Sequence, residues 1–159
     1  RLETFRSNEL GCLGYADSDE QAVFYRTTTK PHTQDAEFDI DSVHTLPRVD
    51  IAYAYAGADG LLVRALVDAG VAGIVAGGLG SGGSPSKMMA ALKAAAQSGV
   101  PVVIATQTGN GRVVRTRRYD EDGYIVADNL SPKKTRILLM MALTKTKDPE
   151  EIQRMMLTY

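Results

Sequence analysis

GIVAGGLGSGGSPSK, from Gly73 to Lys87, decides the fold. A short apolar strand runs into a glycine-dense loop, and the loop runs into a helix opened by Ser84-Pro85. Ser84 is read as its cap and Pro85 as its first residue. Gly78, Gly80 and Gly83 satisfy G-x-G-x-x-G literally. In strand-loop-helix context that is the spelling of a dinucleotide site, where a helix N-terminus holds a pyrophosphate. It is equally the spelling of any strand-to-helix turn that something must approach closely. The dinucleotide reading asks for an Asp or Glu at the end of the next strand, about 20 residues on. That strand ends Ile104-Ala105-Thr106-Gln107, without a carboxylate. A packing turn, or a loop facing another ligand or chain, therefore stands ahead of nucleotide binding.

The surrounding pattern alternates strands and helices. Val49 to Tyr55 reads as a strand, and Gly60 to Ala69 as a helix with Leu61, Leu62, Ala65 and Leu66 on one face and Gly70 closing it. Gly73 to Gly77 is the second strand and Pro85 to Ser98 the second helix. Pro101 to Thr106, apolar throughout, is a third strand buried on both faces. After an arginine-bearing loop, Tyr124 to Ala127 is a short fourth strand. Ser131-Pro132 and Asp148-Pro149 open two closing helices, the second with Glu151 placed as in a capping box. Such alternation implies an α/β fold with a small, mainly parallel sheet flanked by helices.

The amino-terminal part differs. Up to Tyr25 it is punctuated by glycine, with a polar turn at Asp17 to Glu20 and alternating Ala22 and Phe24, the signal of a hairpin. Thr27 to Leu46 is polar and aperiodic, and Leu46-Pro47 ends it. The chain divides into residues 1–46, hairpin plus linker, and residues 47–159, the α/β domain.

Bulk composition narrows the function. Residues 1–159 hold 44% hydrophobic and 23% charged side chains, with a net charge of −1. That balance gives no electrostatic case for nucleic acid or an anionic membrane surface. No apolar run approaches the roughly 18 residues that span a bilayer. Cys12 is the only cysteine, read as a buried or half-buried structural thiol, so neither a disulfide nor a cysteine-built metal site is expected. His32 and His44 lie in the linker, twelve positions apart, a spacing that does not suggest a metal pair. The start at Arg1 suggests a processed or truncated product.

The remaining candidates read plainly. Arg112, Arg115, Arg117 and Arg118 form a basic cluster that a solvated loop explains, with carboxylate capture by a guanidinium as the alternative. Tyr53 and Tyr55 share one side of their strand, as core or interface fillers. Asp120, Glu121 and Asp122 are consecutive and do not converge as a catalytic pair would. No Ser-His-Asp or Cys-His set is present, so these residues alone define no active site.

The stretch from Asn129 to Tyr159, NLSPKKTRILLMMALTKTKDPEEIQRMMLTY, resembles the C-terminal end of bacterial type II L-asparaginases. Leu130-Ser131-Pro132-Lys133 with Arg136, then Leu143-Thr144-Lys145-Thr146, Asp148-Pro149 and Tyr159 carry the likeness. Val49-Asp50-Ile51 with Tyr53 and Tyr55, Ala65 to Gly70, and His32-Thr33 with Asp35 and Phe38-Asp39 extend it back, with Leu13-Gly14-Tyr15 resembling the last hairpin of the larger domain. The resemblance implies a Rossmann-like C-terminal domain of an amidohydrolase that releases ammonia from asparagine, or from glutamine. It implies no cofactor or metal, a homodimer or homotetramer, and a periplasmic or secreted location, with a cytoplasmic one left open.

It also implies that the catalytic threonines lie upstream. The family's Thr-Gly-Gly-Thr and His-Gly-Thr-Asp-Thr motifs do not occur here, so this chain holds no catalytic residue of its own and is expected to be inactive alone. Its contribution is to complete a neighbouring subunit's active site. The family's Asn or Ser in the glycine-rich loop aligns with Gly83, beside Ser84, and these two are the candidate substrate contacts. The family's Glu, which helps hold the substrate amino group, falls near Arg117, with Glu121 a few residues later. Two other classes stay in view: a non-catalytic assembly module of the same domain, and a nucleotide-binding α/β domain.

Overall fold

A computed structural model describes residues 6–7, 10–16, 18 and 21–159. Strands β1 (Gly14–Ala16) and β2 (Ala22–Phe24) pair antiparallel as the expected hairpin. The turn read at Asp17 to Glu20 falls largely outside the described residues. Four strands, β3 (Val49–Tyr53), β4 (Gly73–Gly78), β5 (Val102–Thr106) and β6 (Ile125–Val126), form one parallel sheet in sequential order.

Sequential order has a consequence. Right-handed crossovers that always step the same way along a sheet deposit their helices on one face. Helices α1 (Leu61–Asp68) and α2 (Ser86–Gln97) do lie together on one face, where Val63, Leu66, Met88, Leu92 and Ala95 meet Ala52, Ile74, Ala76, Val102, Ile104 and Val126. The opposite face would be left wet. Helices α4 (Pro132–Ala142) and α5 (Pro149–Thr158), which follow the last strand, fold back over it. There Leu139, Ala142, Ile152, Met155 and Met156 cover Val49, Val75, Val103, Ala105, Ile125 and Ala127. Alternate residues of each strand thus feed two cores, which is why β4 and β5 are buried along their whole length.

Four expectations need correction. The stripe of α1 that docks is Val63, Leu66 and Val67; Leu61 and Leu62 are exposed at the helix start, and Ala65 is exposed too. Docking is set by the i, i+3, i+4 face that meets the sheet, and the pair Leu61-Leu62 lies off that face. Cys12 is exposed rather than buried. A five-residue helix, α3 (Arg117–Glu121), occupies the segment read as loop. It starts where the Thr116 side chain accepts the Tyr119 N–H, a threonine cap with no flanking apolar period to announce it. At α5 the Asp148 side chain accepts the Glu150 N–H as expected. The reciprocal half of a capping box is absent, because Glu151 pairs with Arg154 and the Asp148 N–H donates to Thr146 Oγ1.

The short edge strand β6 is secured from both directions. The Tyr124 hydroxyl, just before it, donates to the Met89 carbonyl of α2 at 2.9 Å. Burial pushes that hydroxyl up to about 12, so it stays a donor well beyond neutral pH. On the outer side, the buried Gln153 amide of α5 accepts the Val126 N–H at 2.9 Å and donates to the Val126 carbonyl at 3.1 Å. One side chain does for the edge what a fifth strand would do. Replacing Gln153 with Met keeps the volume and orphans both backbone groups, so a loss of about 2–4 kcal/mol is expected from urea unfolding. A loss below about 0.5 kcal/mol would show that the edge does not depend on this amide.

Candidate functional site

The carboxyl ends of parallel strands are where α/β sheets present ligands. Here β4 runs past Gly78 into a tight turn that closes on itself. Leu79 N–H donates to the Gly83 carbonyl at 2.7 Å, and the N–H groups of Gly82 and Gly83 both donate to the Leu79 carbonyl, at 3.0 and 2.8 Å. These N–H groups are committed within the turn, so they are not free to hold a pyrophosphate. That observation and the missing carboxylate after β5 both count against the dinucleotide spelling.

The glycines of the turn are not equivalent. A Cβ on Gly78 would lie 2.2 Å from the Gly82 carbonyl oxygen, and Gly82 itself has φ of +96° with Ile104 and Val113 packed over it. Both positions require glycine. Gly83 has no such constraint: its φ is not positive, and a Cβ would meet only the Leu79 carbonyl, at an ordinary 3.5 Å. It is an exposed lip where a side chain fits and none is present.

Ser84 sits differently from its expected place. It is not the cap of α2: Pro85 holds that position, no side chain caps the helix, and the Ser84 Oγ is buried without a hydrogen-bond partner. The hydroxyl is thus withdrawn from any molecule approaching the lip. Gly83 and Ser84 are neighbours in the turn, but only the main chain at Gly83 is presented.

Residues that the sequence did not single out hold the neighbourhood. Gln107, directly after β5, donates from Nε2 to the carbonyls of Ala54 (2.8 Å) and Gly77 (3.3 Å), tying the ends of β3 and β4 together. The Thr106 and Thr108 hydroxyls are 2.7 Å apart, and the Thr108 hydroxyl donates on to the Asn110 carbonyl at 3.1 Å. Val113 packs against Gly82 and its N–H donates to the Asp128 carbonyl at 2.9 Å, which fixes the segment leading to α3 beside the turn. Polar residues immediately following a wholly apolar strand were the available signal for Gln107.

The arginine cluster is largely spoken for. Arg112 pairs with the buried Asp128. Arg115 grips Glu150 with two bonds, of 2.9 and 2.6 Å, and also pairs with Asp120. Arg117, 92% exposed, pairs with Glu121 one turn along α3 at 2.8 Å. The solvated-loop reading holds only in part, since Arg115 staples α3 to the start of α5. Glu121 has its charge answered by Arg117, so the two candidates for the amino-group contact are engaged with each other. The linker histidines lie apart from this region, with His32 Nδ1 3.3 Å from Thr33 Oγ1. Among the described residues no group of three His, Cys, Asp or Glu is placed to hold a metal ion.

Tyr53 and Tyr55 do share one surface. With Asp59, Leu61, Leu62 and Met88 they line a depression at the start of α1. Tyr55 is 61% exposed, which makes it a surface residue and not core.

These features define a class: a parallel α/β domain whose strand ends carry a self-closed glycine turn and a charge-paired helix, with no nucleophile–base set among the described residues beside them. Residues 48–156 match the family model of the Glutaminase/Asparaginase C-terminal domain. The chain belongs to that family. It is 38% identical to "L-asparaginase 2" of Escherichia coli over 99% of its own length and 46% of that protein. It is 38% identical to "Glutaminase-asparaginase" of Pseudomonas fluorescens over 100% of its length and 44% of that one. The crystal structure described as "Probable Cytoplasmic L-asparaginase from Campylobacter jejuni" superposes over the whole chain with a TM-score of 0.93 at 38% identity, covering 51% of that molecule. The chain therefore spans about half the length of the curated relatives it matches.

Two tests follow from this geometry. Gly83→Ala is expected to change stability by less than about 0.5 kcal/mol, whereas Gly78→Ala costs at least about 2 kcal/mol through a clash with main chain. Equal effects in denaturant titrations would refute the distinction. The second concerns Glu150, whose carboxyl is held below its ordinary value of 4.5 by the Arg115 guanidinium. A depressed folded value makes this contribution present above that pH and lost as pH falls below it. Thermal unfolding of Glu150→Gln should accordingly show a shallower decline than the parent chain on acidification below pH 4.5. Parallel declines would mean that the pair exerts no hold specific to the folded state.

Proposed function

We propose that this chain is the carboxyl-terminal part of an L-asparaginase-type amidohydrolase, acting on L-asparagine or on L-glutamine as well, with no metal or cofactor. Residues 1–46 are read as the end of a larger amino-terminal domain plus linker, and 47–159 as the α/β domain. The observation that carries the reading is the family match over the α/β domain, residues 48–156. The hydroxyl that attacks the amide carbon would come from threonines upstream, and an acyl-enzyme hydrolysed by water would follow. The chain's own contribution is positional. The glycine turn that carries Gly83, together with helix α3, closes over the substrate of a neighbouring copy and excludes water from the reacting centre.

Self-association is part of the proposal, as a homodimer or homotetramer. The exposed aromatic surface of Tyr53 and Tyr55, next to Leu61 and Leu62, supports it, since aromatic residues are enriched where proteins associate. The same surface is what a purely structural assembly module would need. The alternatives separate by turnover. As to location, the relatives include one named "Probable L-asparaginase periplasmic", from Haemophilus influenzae, besides the cytoplasmic one above. Among the described residues no helix is long and apolar enough to cross a membrane. A periplasmic or secreted location is proposed from the resemblance to type II enzymes.

Purified alone, the chain is expected to release no ammonia from asparagine or glutamine, and to do so once joined to the sequence that carries the two threonine motifs. Turnover by the chain alone at the rate of the joined protein would overturn the division of labour. Silence of the joined protein, with its fold intact by circular dichroism, would favour the assembly module.

A further inference from the structure

One linker residue, Glu37, carries a cluster of bonds to the closing helices. Two short 3-10 turns, Thr33–Asp35 and Ile40–Ser42, are built from bonds between near neighbours, such as Asp35 N–H to the His32 carbonyl and Val43 N–H to the Ile40 carbonyl. Between them, the bonds that tie the strap to the closing helices converge on Glu37. Its N–H donates to the Tyr159 hydroxyl at 2.8 Å. Its carbonyl accepts from Lys145 Nζ, and both carboxylate oxygens accept from Arg154 at 2.8 Å. The next residue completes the contact: the Phe38 ring packs on the Tyr159 ring at 5.2 Å, and the Lys145 ammonium lies 5.4 Å from the Phe38 ring centre.

Beyond Phe38 the fit loosens. A cavity of about 210 Å³ lies between the strap and the end of α4, bordered on the strap by Asp39, Ser42, Val43 and His44 and on α4 by Met141. Past Phe38 the strap's hydrogen bonds turn inward, from the Asp41 N–H to Asp39 Oδ1 and from Ser42 Oγ to the Asp39 carbonyl, so the polar hold on the closing helices rests at Glu37.

We infer that Glu37 and Phe38 form a latch for which Tyr159 is the catch, and that this latch fixes the direction in which the amino-terminal segment leaves the α/β domain. Tyr159 serves twice, as hydrogen-bond acceptor for the Glu37 amide and as platform for the Phe38 ring. Arg154 and Lys145 add charge that salt will screen, whereas the ring contact is insensitive to salt. The inference is independent of the amidohydrolase reading, and it needs no catalytic partner to be tested.

Two substitutions in the chain test it, read by amide hydrogen exchange and by chymotrypsin cleavage after Phe38. Tyr159→Phe keeps the ring and removes the acceptor, so the Glu37 amide should exchange about tenfold faster while the amides of Ile152 and Met156 in α5 are unchanged. Tyr159→Ala removes both functions, and cleavage after Phe38 should accelerate about tenfold with α5 still protected. Unchanged Glu37 exchange in Tyr159→Phe overturns the inference, as does unchanged cleavage in Tyr159→Ala with α5 intact. If Tyr159→Ala loosens α5 itself, the Tyr159→Phe result decides.

Discussion

The constraint on which the rest of the molecule depends is the sequential parallel order of the four-stranded sheet. Because each crossover steps the same way, α1 and α2 share a face, and the other face is uncovered until the chain passes β6. Everything after Val126 answers that need. Leu139 and Ala142 of α4, with Ile152, Met155 and Met156 of α5, bury side chains that would otherwise face water. Each such burial contributes about 1.5–3 kcal/mol for the larger residues. The same two helices then become the fixing point for what surrounds them. Gln153 pairs the edge of β6, Arg136 Nε donates to the Val49 carbonyl at the opposite edge strand, and Glu150 holds Arg115. A covering layer required by topology has become the scaffold for the loops.

How much of this was legible follows from where the signals are local. The strands from Val49, Gly73 and Val102 are runs of apolar residues between glycine or proline, and their burial follows from composition. Ser131-Pro132 and Asp148-Pro149 mark helix starts because capping is a matter of two or three adjacent residues. The docking face of α1 is harder to read, because Leu61, Leu62 and Leu66 look alike in sequence, and only the sheet decides which of them it meets. Helix α3 is hidden for another reason: five residues carry no periodicity, and its hold comes from Arg115 reaching Glu150, 35 positions away.

The site was legible in position but not in detail. G-x-G-x-x-G located the turn, yet its spelling cannot say which N–H groups are free. Only the closed bonds between Leu79, Gly82 and Gly83 show that they are committed inside the turn. Likewise Ser84 followed by Pro85 reads as a cap, but its hydroxyl is buried and α2 begins one residue later than that reading requires. Gln107, which ties two strand ends, has no motif at all; its importance is a product of parallel register.

Apart from the buried Ser84 hydroxyl, the polar side chains described at the end of the sheet that should present ligands are paired within the chain. Gln107 is spent on Ala54 and Gly77, the two threonines on each other and on Asn110, Arg112 on Asp128, and Arg117 on Glu121. A surface so committed is poor at chemistry, because a general base or nucleophile needs an unspent lone pair aimed at a reacting atom. It is well suited to presenting a fixed shape. Gly83 fits that role: it is exposed, unstrained and preceded by positions that must be glycine, so its main chain stands at a defined height above the strand ends. In the proposed reading, this bare turn is the surface offered to a neighbouring copy, and what it offers there is main chain.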